Sequence, residues 1–152
     1  MDLIDILDKN SISLQSSLNN KEEIINELIN LAEFSGKIIG KNLVIKDVFD
    51  REKVLSTGIG KNIALPHAKT RGVSNFCSAL ITLANPVDFD SLDGNPIRLA
   101  FLLIGPDNNV GMNLKLLSRI SRILNNEAYR NKLMELTSPD EVIDFLKQVQ
   151  NF

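Results

Sequence analysis

One histidine stands in the chain, His67, and the residues around it could handle a phosphoryl group. The segment from Arg51 to Thr70 reads REKVLSTGIGKNIALPHAKT. Neutral imidazole is a good nucleophile near neutral pH, because its ordinary pKa is about 6.5. It can take a phosphoryl group on one ring nitrogen when a hydrogen bond on the other fixes the tautomer. Gly58-Ile59-Gly60 reads as a glycine turn, whose backbone N–H groups can face an anion. Arg51, Lys53, Lys61, Lys69 and Arg71 supply cations on both sides, and a guanidinium can pair with two phosphoryl oxygens at once. Pro66 holds Leu65 extended and stiffens the approach to His67.

Each of these residues also has a plainer role. A lone histidine is more often a surface or satisfied core residue. A G-x-G turn usually only turns. Lys53 and Lys61 fit a solvated face, and Ser56 and Thr57 fit a helix end, although their hydroxyls could touch phosphate. Cys77, the single cysteine, reads as a buried strand residue rather than a nucleophile. One histidine and one cysteine leave no zinc site of the usual kind, so no metal and no cofactor are expected.

The elements that must position His67 follow from hydrophobic spacing. Ile12 and Leu14 alternate with polar residues, as in a half-buried strand. Asn20 caps a helix through Ile24, Ile25, Leu28, Ile29, Leu31 and Ala32, with Glu23 reaching back and Gly36 as the stop. Residues 42 to 55 carry a second helical pattern, with Leu43, Val44, Val48, Val54 and Leu55 as its apolar positions. That places Arg51 on the last turn before the glycines. Phe76 to Ala84 and Ile97 to Ile104 read as buried strands, with a short strand near Val87 to Phe89 and a turn at Asp93-Gly94 between them. After a loop from Gly105 to Gly111, Leu114, Leu116, Leu117, Ile120, Ile123 and Leu124 repeat at helical spacing. A short helix follows near Glu127 to Leu136. The last helix opens with Ser138, Pro139 and Glu141, and buries Val142, Phe145, Leu146 and Val149. Continuous apolar strands imply a sheet covered on both faces, hence an α/β fold with a mixed sheet.

Composition narrows the function classes. The 152 residues are 43% hydrophobic and 24% charged, within the range of one globular domain spanning residues 1–152. A net charge of −2 provides no field to gather nucleic acid or an anionic membrane. No apolar run is long enough for direct membrane insertion, and the acidic start lacks a signal pattern. A lone cysteine fits a reducing compartment, and the expected location is cytoplasmic.

Arg51-Glu52, Ser56-Thr57-Gly58-Ile59-Gly60 and Ile63-Ala64-Leu65-Pro66-His67-Ala68-Lys69 together resemble a known signature. It is that of the fructose/mannitol-type enzyme IIA of the bacterial phosphoenolpyruvate:sugar phosphotransferase system, which the nitrogen-regulatory IIA proteins share. The resemblance covers the full chain. It implies a three-layer α/β/α sandwich around a mixed sheet. It implies that the protein HPr, phosphorylated on histidine, hands its phosphoryl group to Nε2 of His67. His67 would pass it to a cysteine of a IIB domain for sugar uptake through a IIC membrane component. Arg51, sixteen positions before His67, inherits the phosphate-neutralising role. Ser56, Thr57, Gly58, Ile59 and Gly60 would border the phosphate. Many relatives carry a second histidine where this chain has Asn113, in Met112-Asn113-Leu114-Lys115-Leu116-Leu117. Asparagine can donate to phosphate or cap the helix, but it carries no charge. The alternative to a transport phosphocarrier is a regulatory, nitrogen-type module whose phosphorylation state controls partner proteins. A third reading, motivated by Asn113, is the same fold without phosphorylation.

Overall fold

The computed structural model describes residues 1–150. At its centre, β5 (Cys77–Val87) and β6 (Ile97–Pro106) pair antiparallel, with Leu80 opposite Phe101. β1 (Ile12–Ser16) lies parallel to β5 on one side. On the far side of β6, two short strands follow one another along its length. β3 (Ile63–Ala64) pairs parallel with Leu99 and Ala100, and β4 (His67–Thr70) pairs parallel with Leu103 to Pro106. β2 (Gly58–Gly60) completes the mixed sheet of six strands, antiparallel to β3.

Side chains on successive strand residues point to opposite faces, so each central strand feeds two cores. Ala79, Ile81, Leu83, Ala100, Leu102 and Ile104 pack with α2 (Lys21–Ala32) and α3 (Lys41–Val54). Leu80, Leu99, Phe101 and Leu103 pack instead with α1 (Leu3–Ile6), α4 (Val110–Leu124), α5 (Glu127–Glu135) and α6 (Pro139–Val149). The result is three layers, α/β/α, and the double cover explains why β5 and β6 are apolar without alternation.

The caps match the local chemistry. The Asn20 side chain accepts from the Glu23 N–H, and Ser138 accepts from the Glu141 N–H with Pro139 at the first helical position. Gly36 adopts a φ of 73° after a 3-10 turn at Glu33–Ser35, which closes α2.

Several expected features come out differently. Gly58–Gly60 is a strand, and the turn falls at Lys61-Asn62, with φ values of 57° and 65°. Two such residues between paired strands make the two-residue hairpin whose twist suits a sheet. No separate strand forms at Val87 to Phe89. β5 passes through an irregularity and carries on to Val87, which pairs with Ile97, while Phe89 is buried outside the ladder. α3 buries Val44, Val48 and Glu52, one turn apart, whereas Leu43, Val54 and Leu55 are exposed. Leu114 is likewise exposed at 63%, because the stripe of α4 that meets the sheet is Leu116, Ile120, Ile123 and Leu124. Phe145 is only partly buried and meets Tyr129 edge-on, at 5.7 Å between ring centres. The N-terminal residues form α1 and a 3-10 turn at Lys9–Ser11, which short apolar runs did not suggest. α4 begins earlier than the Gly105-to-Gly111 loop implied, and its cap is Asn109, whose side chain accepts from the Met112 N–H at 3.3 Å. Asn113 therefore sits inside the first turn rather than at the cap.

Gly105 lets α4 start close to the sheet. A Cβ there would run into Asn113 Oδ1 and the Phe76 ring. Gly105→Ala should lower stability by about 1–3 kcal/mol through this overpacking. Urea unfolding checks it, and an unchanged midpoint would mean that Asn113 and Phe76 yield freely.

Candidate functional site

His67 opens β4, immediately after Pro66 interrupts the pairing along β6. The Pro66 carbonyl still accepts from the Leu103 N–H at 3.0 Å, so the chain is held on both sides of the missing donor. The ring's Nδ1 lies 2.8 Å from the Leu65 carbonyl. A carbonyl oxygen can only accept, so Nδ1 carries the proton and Nε2 of the neutral ring keeps its lone pair.

The ring borders an open cavity of about 380 Å³ where α3 and α4 flank β4. α3 contributes Asp47 and Arg51, four residues apart on one face. β4 contributes Ala68 and Lys69, and β6 contributes Leu103, the register partner of His67. α4 contributes Val110 and Asn113 from its first turn, then Leu114 and Leu117. The positive end of the α4 dipole thus lies beside the cavity. Val110 and Leu114 are exposed and form an apolar rim.

Burial, above all, lowers the His67 pKa below its ordinary value of 6.5. The Leu65 carbonyl and the Glu52 carboxylate oppose this, and the nearby cations Arg51 and Lys69 reinforce it. The neutral, nucleophilic ring is therefore the dominant form at pH 7.

Arg51 donates from Nη1 to the Leu55 carbonyl at 2.9 Å, which leaves its other N–H groups for an anion. Asn113 lines the cavity, but its amide N–H groups donate to the carbonyls of Pro106 at 3.1 Å and Asn109 at 3.0 Å. The structure thus gathers His67, Arg51 and Asn113 around one cavity.

It does not bring the Ser56–Gly60 stretch to the cavity wall. The Ser56 hydroxyl donates to the Phe89 carbonyl at 2.8 Å and accepts from the Gly58 N–H at 3.1 Å. Thr57 spends both its N–H and its hydroxyl on Glu52. Ile59 is exposed, and Gly58 and Gly60 pack against Ser91 and Asp93. Asp47 was not anticipated as a cavity residue. Its spacing of four from Arg51 is the signal that places it there.

Among the described residues, no group of three or more His, Cys, Asp or Glu side chains could hold a metal ion. No described helix is long and apolar enough to cross a membrane. Cys77 is buried in β5, and burial pushes its thiol up to about 11, away from nucleophilic use.

A three-layer sandwich that presents one tautomer-locked histidine at an open, cation-bordered cavity defines a histidine-centred α/β/α domain. Residues 5–149 match the family described as "Phosphoenolpyruvate-dependent sugar phosphotransferase system, EIIA 2", and the chain belongs to that family. It is 36% identical over 138 residues to the fructose-specific EIIA component of Haloferax volcanii, covering 91% of this chain and 90% of that protein. It is 35% identical over 148 residues to the fructose-specific EIIABC component of Bacillus subtilis, covering 97% of this chain but only 23% of that longer protein. Among solved structures, the nitrogen regulatory protein IIA-Ntr of Neisseria meningitidis aligns with a TM-score of 0.88 at 33% identity, covering 95% of this chain and 98% of that one.

Titration of His67 by NMR should give a midpoint below 6.5. Arg51→Gln removes a neighbouring cation and should move the midpoint upward. A midpoint that stays put or falls would show that the guanidinium does not act on the ring.

Proposed function

We propose that this protein is a phosphocarrier, in which Nε2 of His67 takes a phosphoryl group from phosphorylated HPr and passes it to a cysteine of a IIB domain. The observation that carries this reading is the Leu65 carbonyl on Nδ1, 2.8 Å away, which leaves Nε2 as the reactive nitrogen beside an open cavity. In the first transfer the Nε2 lone pair forms a bond to phosphorus. The donor's P–N bond breaks, and its electron pair stays with the donor imidazole. In the second transfer a cysteine thiolate forms a P–S bond, and Nε2 recovers its pair.

Such transfer requires positioning and charge stabilisation more than covalent machinery from the carrier. Arg51 and Lys69 supply positive charge, and Nδ1–H stays bonded to Leu65 throughout. Asp47 sits in the same cavity with the opposite sign, so the site is less cationic than Arg51 and Lys69 alone would make it. A moderate hold suits a group that must leave again. The exposed Val110 and Leu114 offer a partner an apolar rim around the reacting atom, as a small transient interface needs.

The IIB partner is supported by a solved complex of the mannitol IIA and phosphorylated IIB enzymes of Escherichia coli. The sugar step, IIC and a cytoplasmic location follow from the same reading. Asn113 in this scheme shapes the wall and holds the start of α4, and its Oδ1 is its only group not already bonded to the backbone.

The regulatory alternative has its own support. The nitrogen regulatory protein of Pseudomonas aeruginosa is 34% identical over 137 residues, covering 86% of that protein. The two readings share the first transfer and part at the second.

Incubation with phosphoenolpyruvate, enzyme I and HPr should label the wild-type protein, and His67→Ala should abolish labelling. Label on the alanine variant would remove His67 as acceptor. Arg51→Ala should slow uptake by about tenfold or more with little effect on the unfolding midpoint, since its one hydrogen bond is exposed. Unchanged rates would take Arg51 out of the mechanism. Transfer onward to a IIB protein favours the transport role, and retention of the label with every IIB tried favours the regulatory one.

A further inference from the structure

The stripe by which α3 meets the sheet runs Val44, Val48 and then Glu52, where an apolar residue would be the ordinary choice. Glu52 is only 7% exposed. A carboxylate is costly to bury unless it is paired and hydrogen-bonded. This one is fully engaged. Lys21 Nζ at the start of α2 lies 2.9 Å from Oε1. The Thr57 N–H donates to Oε1 at 2.9 Å, and the Thr57 hydroxyl donates to Oε2 at 2.7 Å.

Thr57 is 2% exposed, and both of its donors go to this one carboxylate. Its carbonyl points onward and accepts from the Leu65 N–H at 2.9 Å. The Leu65 carbonyl, on the other side of that residue, accepts from His67 Nδ1 at 2.8 Å. A continuous relay therefore runs from the first turn of α2, through the buried end of α3, to the ring. Thr57 and Leu65 each link one neighbour to the next through main-chain groups.

We propose that Glu52 is a positioning residue for His67: by clamping both donors of Thr57 it sets the Leu65 carbonyl, and with it the ring's tautomer and orientation. Lys21 pairs with the carboxylate and holds it in place. Thr57 serves this relay rather than cradling phosphate, since it has no donor left to offer. The proposal concerns the ring before any transfer. Only its rate consequence rests on the phosphocarrier reading.

The test pairs two variants with two readouts. Glu52→Gln removes the charge and presents an NH₂ where one carboxylate oxygen accepted. Thr57→Val keeps the N–H bond, loses the hydroxyl and preserves shape. Ring ¹⁵N shifts report the His67 tautomer directly in the unphosphorylated protein. The wild type should show mainly Nδ1–H. Glu52→Gln should raise the Nε2–H fraction and slow uptake from phosphorylated HPr about tenfold, as misplacement of a reacting group does. Thr57→Val should shift both in the same direction by less.

If Glu52→Gln does not fold, as judged by dispersion of its amide spectrum, Thr57→Val carries the test alone. A folded variant that loses stability while tautomer and uptake stay at wild-type values would overturn the proposal, because a merely structural role predicts that. Should the wild type accept no phosphoryl group at all, the phosphocarrier reading fails while the tautomer comparison still decides the role of Glu52.

Discussion

The hydrogen bond between His67 Nδ1 and the Leu65 carbonyl, 2.8 Å long, determines which ring nitrogen can react. An imidazole free in solution exchanges tautomers and turns about its side-chain bonds. Here one acceptor, two residues back in the link between β3 and β4, removes both freedoms. The acceptor is reliable because its own backbone is tied down. Leu65 is held by Thr57, Pro66 limits the backbone ahead of the ring, and the Pro66 carbonyl is anchored to Leu103. An open cavity can therefore hold a well-placed nucleophile without enclosing it.

The layering of the fold explains where that cavity lies. β4 pairs with β6 and is otherwise flanked by helices of both layers, α3 on one side and α4 on the other. α3 brings Arg51 on the face next to its buried stripe. α4 brings its positively polarised first turn, and Gly105 is what lets that turn come close. Burial keeps the ring neutral, and the cations on its border keep it so while awaiting negative charge. In the phosphocarrier reading we propose, the same local field favours the nucleophile before transfer and the phosphoryl group after it.

Much of this was legible in the chain. β5 and β6 are continuous apolar runs, so a doubly covered sheet followed from them. Ser138-Pro139 and Asn20 announced α6 and α2 because capping is a local interaction. The segments from Arg51-Glu52 through Ile63 to Lys69 carry the family signature, and the spacing of Arg51 from His67 marks the arginine within it. β2, β3 and β4 were not legible, since strands of three, two and four residues exist only by pairing with β6, which is distant in sequence. The hairpin at Lys61-Asn62 was hidden for a related reason: neither residue is the glycine that positive φ usually requests. Glu52 stands in the signature with no role that its sequence context assigns. Only the structure shows Lys21 and Thr57 converging on it. The cap that asparagine suits, one of the two readings open for Asn113, falls instead to Asn109, which suits it equally and lies four residues earlier.

In the phosphocarrier reading, phosphorus reaches Nε2 of His67 while Nδ1 keeps its proton. The most direct test is the NMR spectrum of the phosphorylated protein with ¹⁵N in the imidazole ring. A one-bond phosphorus coupling at Nε2, with Nδ1 still protonated and bonded to Leu65, is the predicted result. Phosphorus coupled to Nδ1, or a ring with no phosphorus coupling in a protein that carries phosphate elsewhere, would contradict it.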